Sequence, residues 1–207
     1  MFTLYFTPGT CALASHIALV DAGAEHALRR IDFSKSEQRS PDYLAINPKG
    51  RVPALVTPRG VLTETPAMLA FIAHSFPKAG LAPLDDPFAF AEIQSFNAYL
   101  CATVHVAHAH RMRGHRWADD PAAIAAMQKK VPQSVGECFD LIERQMLKGP
   151  WVMGESYTIA DPYLFTLSGW LEADGIDQLR IPKVMEHRDR MQERPAVKQA
   201  LASEKAA

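Results

Sequence analysis

The sequence predicts a two-part fold, an α+β N-terminal domain with the order β-α-β-α-β-β-α followed by an all-α C-terminal domain. Three observations predict it. Short apolar runs bounded by turn residues, Phe2–Phe6, Leu28–Phe33, Val52–Thr57 and Val61–Glu64, occur only in the first third of the chain. The segment Phe76–Pro87 carries three prolines and a glycine in twelve residues, the composition of a connector. Beyond it the apolar residues recur at helical spacing to the end. The domain spans read from this are 1–77, a linker at 78–87, and 88–207.

Composition narrows the function classes. A chain of 207 residues can bury one good core or divide into two small domains. Its 48% hydrophobic and 22% charged content is that of a soluble globular protein. The net charge of −1 argues against nucleic acid and an anionic membrane as partners. No basic segment leads into an apolar stretch at the N-terminus, so no signal peptide is expected, and no apolar run has the length of a membrane span. Three widely spaced cysteines, Cys11, Cys101 and Cys138, argue against a disulfide framework and for a reducing compartment, hence a cytoplasmic location.

In the first domain, Phe2–Phe6 reads as a strand that Pro8 and Gly9 break. A helix over Cys11–Ala22 follows, with Gly23 as its stop. Cys11 thus stands in the first turn of a helix, where unpaired backbone N–H groups and the helix dipole lower a thiol pKa. The plain alternative is a small buried cysteine at a helix start. Leu28–Phe33 is the second strand, Ser34–Pro41 a polar stretch with Lys35 and Arg39, and Asp42–Ile46 a short helix ending at Asn47-Pro48. Val52–Thr57 and Val61–Glu64 read as a hairpin across Pro58-Arg59-Gly60. Pro53 cannot donate to a sheet ladder, so it lies on an edge or follows a cis bond. Thr65-Pro66 reads as N-cap and first position of a helix over Ala67–Phe76.

Three blocks, Thr7-Pro8-Gly9-Thr10-Cys11-Ala12-Leu13-Ala14-Ser15-His16, Asn47-Pro48-Lys49-Gly50-Arg51-Val52-Pro53-Ala54-Leu55 and Leu62-Thr63-Glu64-Thr65-Pro66-Ala67, resemble bacterial glutathione transferases of the beta class. The resemblance extends over essentially the whole chain. It implies a thioredoxin-like first domain, the two-domain glutathione transferase architecture, a homodimer, and glutathione as co-substrate with no metal. The residues suit that tripeptide. Val52 offers its backbone to the cysteinyl peptide beside Pro53, and Thr65 with the helix N-terminus can take the γ-glutamyl carboxylate. Glu64 can take the ammonium. Lys35 is read as the partner of the glycyl carboxylate, or else as a plain surface lysine. Cys11, with Thr10 beside it, is read at the thiol. Position 14 is Ala, so Cys11 has no C-x-x-C partner and dithiol exchange is disfavoured.

In the second domain Asp86-Pro87 starts a helix running to about Gly114, with Ile93, Phe96, Leu100, Val104 and Ala107 as its core stripe. The resemblance implies that this helix lines the cleft and supplies a histidine near the thiol, which is His105 here. Phe6, Cys101, His108 and Met112 are read as lining the electrophile site. The run His105–Arg116 has three readings: a metal site, a basic helix end, or a cleft rim attracting anions. Asp120-Pro121 caps the next helix, which holds Pro132 and Gly136 and is expected to kink or break near residue 131. Cys138 on it reads as a core thiol. Thr158 and Asp161 form a capping box ahead of a buried helix, and helices follow near Lys183–Glu193 and after Pro195.

Three departures from the resembled pattern bear on activity. Phe6 stands where many relatives place a tyrosine, Ala98 where an asparagine is expected, and Val106 where a lysine follows the histidine. The function expected is conjugation of the glutathione thiol to small hydrophobic electrophiles, weakened by these changes. The alternatives are a glutathione-dependent thiol–disulfide oxidoreductase using Cys11 and a non-catalytic glutathione-binding protein of the same fold.

Overall fold

The computed structural model describes residues 1–206. Four strands, β1 (Phe2–Phe6), β2 (His26–Arg30), β3 (Ala54–Thr57) and β4 (Gly60–Thr63), form one mixed sheet in the order β2-β1-β3-β4. β1 and β2 are parallel, and β3 is antiparallel to both of its neighbours. The parallel pair is joined by helix α1 (Ala12–Asp21), which packs against α3 (Thr65–Ser75). A short α2 (Pro41–Ile46), capped by Ser40 Oγ accepting from Tyr43 N–H at 3.2 Å, lies between β2 and β3.

The expected second strand is displaced. It begins at His26 because it pairs in register with β1, Phe2 opposite His26 and Phe6 opposite Arg30. Ile31 continues this pairing by one hydrogen bond to Phe6, and Phe33 has already entered a 3-10 turn. The apolar residues Ile31 and Phe33 had suggested a later strand, whereas the partner strand sets the limits.

The second part of the chain is helical. α4 (Pro87–Tyr99) passes through one π-helical stretch at Leu100–Val104 into α5 (His105–Arg113), so the long helix is nearly continuous. Asp86 Oδ1 accepts from the N–H groups of Phe88 and Ala89, each at 3.0 Å, as its position before Pro87 predicts. α6 (Pro121–Leu141), capped by Asp120, runs through Pro132 without the break that was one of the two expectations there. α7 (Asp161–Ser168) is buried at every position, and α8 (Pro182–Glu193) and α9 (Pro195–Ala206) close the chain.

Asp161 joins these last helices. Its Oδ2 accepts the Thr158 N–H at 2.7 Å, which is half of the expected capping box; the Thr158 hydroxyl accepts from Ala160 N–H, while the Asp161 N–H goes to the Thr158 carbonyl and Ala160 takes the N-cap position. Its Oδ1 accepts Val152 N–H at 2.8 Å and faces His187 Nε2 at 3.0 Å. The two halves of the molecule meet at α1, which packs on α7 and α9. There buried His16 faces Glu204 at 3.2 Å, and Asp21 accepts from both Tyr157 and Arg194.

Among the described residues no helix is long and apolar enough to cross a membrane.

Candidate functional site

The end of β1, the start of α1 and the segment before β3 meet α5 across a cleft with two adjoining cavities. One, of about 150 Å³, is lined by Cys11, Val52, Pro53, Glu64, Thr65 and Tyr163, with Arg51, Cys101, His105 and Arg116 also on its walls. The other, of about 170 Å³, is lined by Gly9, Thr10, His108, Arg111, Met112 and Arg113, with Trp170 beyond them. Cys11, Val52 and His105 border both.

Local sequence fixes the wall that Val52 and Pro53 form. The Val52–Pro53 bond is cis, one of the two geometries expected of Pro53. The carbonyl of Arg51 accepts two hydrogen bonds from α2 and its end, Tyr43 Oη and Asn47 Nδ2, each at 2.7 Å. Gly50 has φ +59, and a Cβ on it would meet the Gln38 carbonyl oxygen at 2.9 Å, so glycine is required there. Val52 lies before the first residue of β3, so its backbone is presented to the cavity rather than to a strand.

Cys11 immediately precedes α1, and its thiol donates to the Val52 carbonyl at 3.8 Å. Its pKa is not lowered as its position at a helix start suggests. Burial pushes it up to about 11, only partly opposed by Thr65, by its own N–H and by Arg113. The reason is visible in the hydrogen bonds. The first N–H groups of α1 are already occupied: Ala12 on Thr10 Oγ1, Leu13 on the Thr10 carbonyl, Ala14 on the Cys11 carbonyl. The Thr10 hydroxyl itself donates to the Thr7 carbonyl at 2.7 Å, so it is committed to the turn and not to a sulfur. With a pKa near 11 the thiolate fraction at neutral pH is about 10⁻⁴, and it rises tenfold per pH unit until the pKa is reached. Iodoacetamide labelling of Cys11, followed by peptide mass spectrometry, is therefore expected to be about a hundredfold slower at neutral pH than in the denatured chain. The folded rate should climb steadily through the alkaline range.

His105 faces Cys11 from α5. Burial first, then the positive charges of His108, Arg113, Arg116 and Arg51, hold its pKa at about 4. The imidazole is neutral at physiological pH, a weak base and a competent N–H donor.

The other expected residues divide. Glu64 has φ +71 and precedes the first residue of α3, so Glu64 and not Thr65 occupies the N-cap position. No side chain caps that helix end. Thr65 is buried and lines the first cavity with Cys11, whose thiol pKa it lowers. Glu64 pairs with Lys49 Nζ. Lys35 does not reach either cavity; it is exposed and pairs with Asp32 at 3.5 Å across its own turn. Of the four residues read as an electrophile site, His108 and Met112 line the second cavity and Cys101 lines the first. Phe6 lines neither. It is fully buried in the core with Leu4, because alternate residues of β1 face the helices while Tyr5 turns the other way onto Tyr43. Ala98 is exposed, and its neighbour Asn97 is turned into the core.

Sequence reasoning missed Arg51, Trp170 and Asp174. Trp170 stacks on His108 at 4.2 Å and donates its Nε1–H to the Gly9 carbonyl at 3.0 Å. Buried Asp174 faces His108 Nδ1 at 2.7 Å and forms an ion pair with Arg111 Nε at 3.1 Å. This chain of contacts fixes the turn that carries Cys11. It links residues more than 160 positions apart, and no local pattern announces it.

The N-terminal-domain model of the glutathione S-transferases matches residues 1–74, and their C-terminal-domain model matches residues 108–204. The chain belongs to the glutathione S-transferase family. It is 33% identical to the glutathione S-transferase GstA of Escherichia coli O157:H7 over 204 residues, covering 97% of this chain and 98% of that one. Among solved structures, a glutathione transferase homologue from Sulfitobacter, determined with bound glutathione, superposes with a TM-score of 0.95. It shares 46% identity, with 98% of both chains covered. A beta-class glutathione S-transferase of Sphingomonas chungbukensis gives a TM-score of 0.85 at 31% identity, over 99% of this chain and 100% of that one. The thioredoxin-like sheet domain followed by a helical domain is the glutathione S-transferase fold, and the likeness to bacterial beta-class members runs through both.

Proposed function

We propose that this glutathione S-transferase binds glutathione in the cavity between Val52-Pro53 and α3 and conjugates its thiol to a small electrophile held in the adjoining cavity. The observation that carries this reading is the place of Cys11, at the junction of the two cavities with Val52 and His105 bordering both, where burial pushes its thiol up to about 11 and keeps it protonated. A protonated thiol is a hydrogen-bond donor and a poor nucleophile. With Cys11 and neutral His105 both able to donate towards one point, a sulfur placed there is stabilised as thiolate. The electrophile beside it gains from proximity. Val52 pairs with the cysteinyl backbone, the uncapped N-terminus of α3 with Thr65 takes the γ-glutamyl carboxylate, and Glu64 takes the ammonium. Arg51, on the cavity wall, takes the glycyl carboxylate in place of Lys35.

A thiol–disulfide oxidoreductase, the second reading, needs Cys11 as an attacking thiolate. The raised pKa and the absence of a second cysteine at position 14 count against it. A homodimer, a cytoplasmic location and a role in detoxification accord with the family and are part of the proposal. Among the described residues no group of three His, Cys, Asp or Glu side chains is positioned to hold a metal ion, and the mechanism proposed uses none.

The test is conjugation of glutathione to a neutral chlorodinitrobenzene by the wild type and by Thr65→Val and Glu64→Gln. Each variant removes a contact to the γ-glutamyl end and should raise the KM for glutathione roughly tenfold, with a smaller change in kcat. A KM for glutathione that neither substitution moves contradicts this placement.

A further inference from the structure

The cleft carries more positive charge than glutathione can use. Arg51 and Arg116 line the first cavity and Arg113 the second, while Arg39 lies against Gly50, its Nη1 2.9 Å from where a Cβ would stand. They come from the turn before α2, the segment before β3, the end of α5 and the 3-10 turn that follows it. Among the described residues none of the four has a carboxylate within ion-pairing distance. They act instead on one another. Arg116 is lowered to about 10, by burial first and then by Arg113, Arg51 and Arg39, all of like sign.

The acids beside the cleft are already used. Asp174 is shared by His108 and Arg111, and Glu64 pairs with Lys49 and also takes the glutathione ammonium. Glutathione brings two carboxylates and one ammonium. With the γ-glutamyl carboxylate at α3 and the glycyl carboxylate at Arg51, no counter-charge remains for Arg113. That guanidinium is half-buried, 5.9 Å over the Phe33 ring, on the side of the cleft away from Glu64 and Thr65. Solvated arginines on an open surface spread apart. Arginines that converge on a cleft wall with no acid among them form a site for an anion.

We propose that the second cavity is an anion site, and that the electrophile conjugated there carries a carboxylate or comparable anionic group held by Arg113. This rests on the glutathione reading above and narrows its substrate class. The apolar body of such a molecule lies against Met112, Ala109 and Trp170, with its charge toward Arg113.

Two glutathione conjugates of matched shape test it, S-(carboxybenzyl)glutathione and its uncharged carboxamide, together with glutathione itself. Each is titrated calorimetrically into the full chain at low and at high salt. The carboxylate conjugate is expected to bind about tenfold more tightly than the carboxamide at low salt, with the gap narrowing at high salt. Arg113→Gln should bring the two affinities to within about twofold, and Arg113→Lys should keep part of the preference. Equal affinities in the wild type, or a preference that Arg113→Gln leaves intact, overturn the anion site while glutathione binding stands. If glutathione itself does not bind, the reading beneath falls and takes the anion site with it.

Discussion

Asp161→Ala is expected to lower the free energy of unfolding by about 3–5 kcal/mol, measured by urea denaturation with an unchanged slope. The carboxylate is fully buried, and both of its oxygens are engaged. Removing it leaves two buried backbone N–H groups, at Val152 and Thr158, without partners and strips His187 of the acceptor that faces its Nε2. His187 is itself fully buried, and its Nδ1 already lacks a partner among the described residues. The lost half of the capping box adds to this at the start of α7, the helix on which α1 rests. Asp161→Asn should recover only part of the loss. An amide can accept at one oxygen but presents an N–H to whichever donor the other oxygen served. A loss below about 1 kcal/mol for Asp161→Ala would mean that α7 is held by apolar packing alone.

Cys11→Ser and Cys11→Ala should separate the two chemistries open to this site. Disulfide exchange with a glutathione mixed disulfide needs the sulfur and should fall to background in both variants. Conjugation needs a hydrogen-bond donor at that point, which serine keeps. Cys11→Ser should retain conjugating activity within about tenfold of the wild type, and Cys11→Ala should lose a further factor of roughly ten in kcat. The pH profile is a second readout. Because the Cys11 thiol is raised to about 11, it stays protonated across the working range, and its own titration should not appear in the profile at neutral pH. Loss of conjugation together with exchange in Cys11→Ser would transfer the catalytic role from glutathione's sulfur to that of Cys11.

The fold was legible where the sequence states its own limits. Asp86-Pro87 and Asp120-Pro121 mark helix starts by local chemistry and the structure uses both, while of the Thr158–Asp161 box it keeps the Asp161 carboxylate on the Thr158 N–H. Limits set by a partner were not legible. β2 starts at His26 because β1 starts at Phe2, which an apolar pattern around Ile31 cannot reveal. The site shows the same division. Val52 and Pro53 stand on the wall of the first cavity beside Cys11, and Thr65 and His105 line the same cavity. Of its two readings Lys35 takes that of a surface lysine, paired with Asp32 three residues earlier. Phe6 failed because strand parity buries it. The state of Cys11 was misjudged because backbone partners had already used the helix N–H groups, leaving burial to decide. Trp170 and Asp174 act across the two halves of the chain, where only the folded molecule brings them to the Cys11 turn.

The central claim is that the cavity between Val52-Pro53 and Thr65 is a glutathione site. Calorimetric titration of glutathione into the full chain tests it most directly. One site per chain is expected, with a dissociation constant at or below about 1 mM, weakened roughly tenfold by Thr65→Val. Heat no greater than dilution at millimolar glutathione would contradict it.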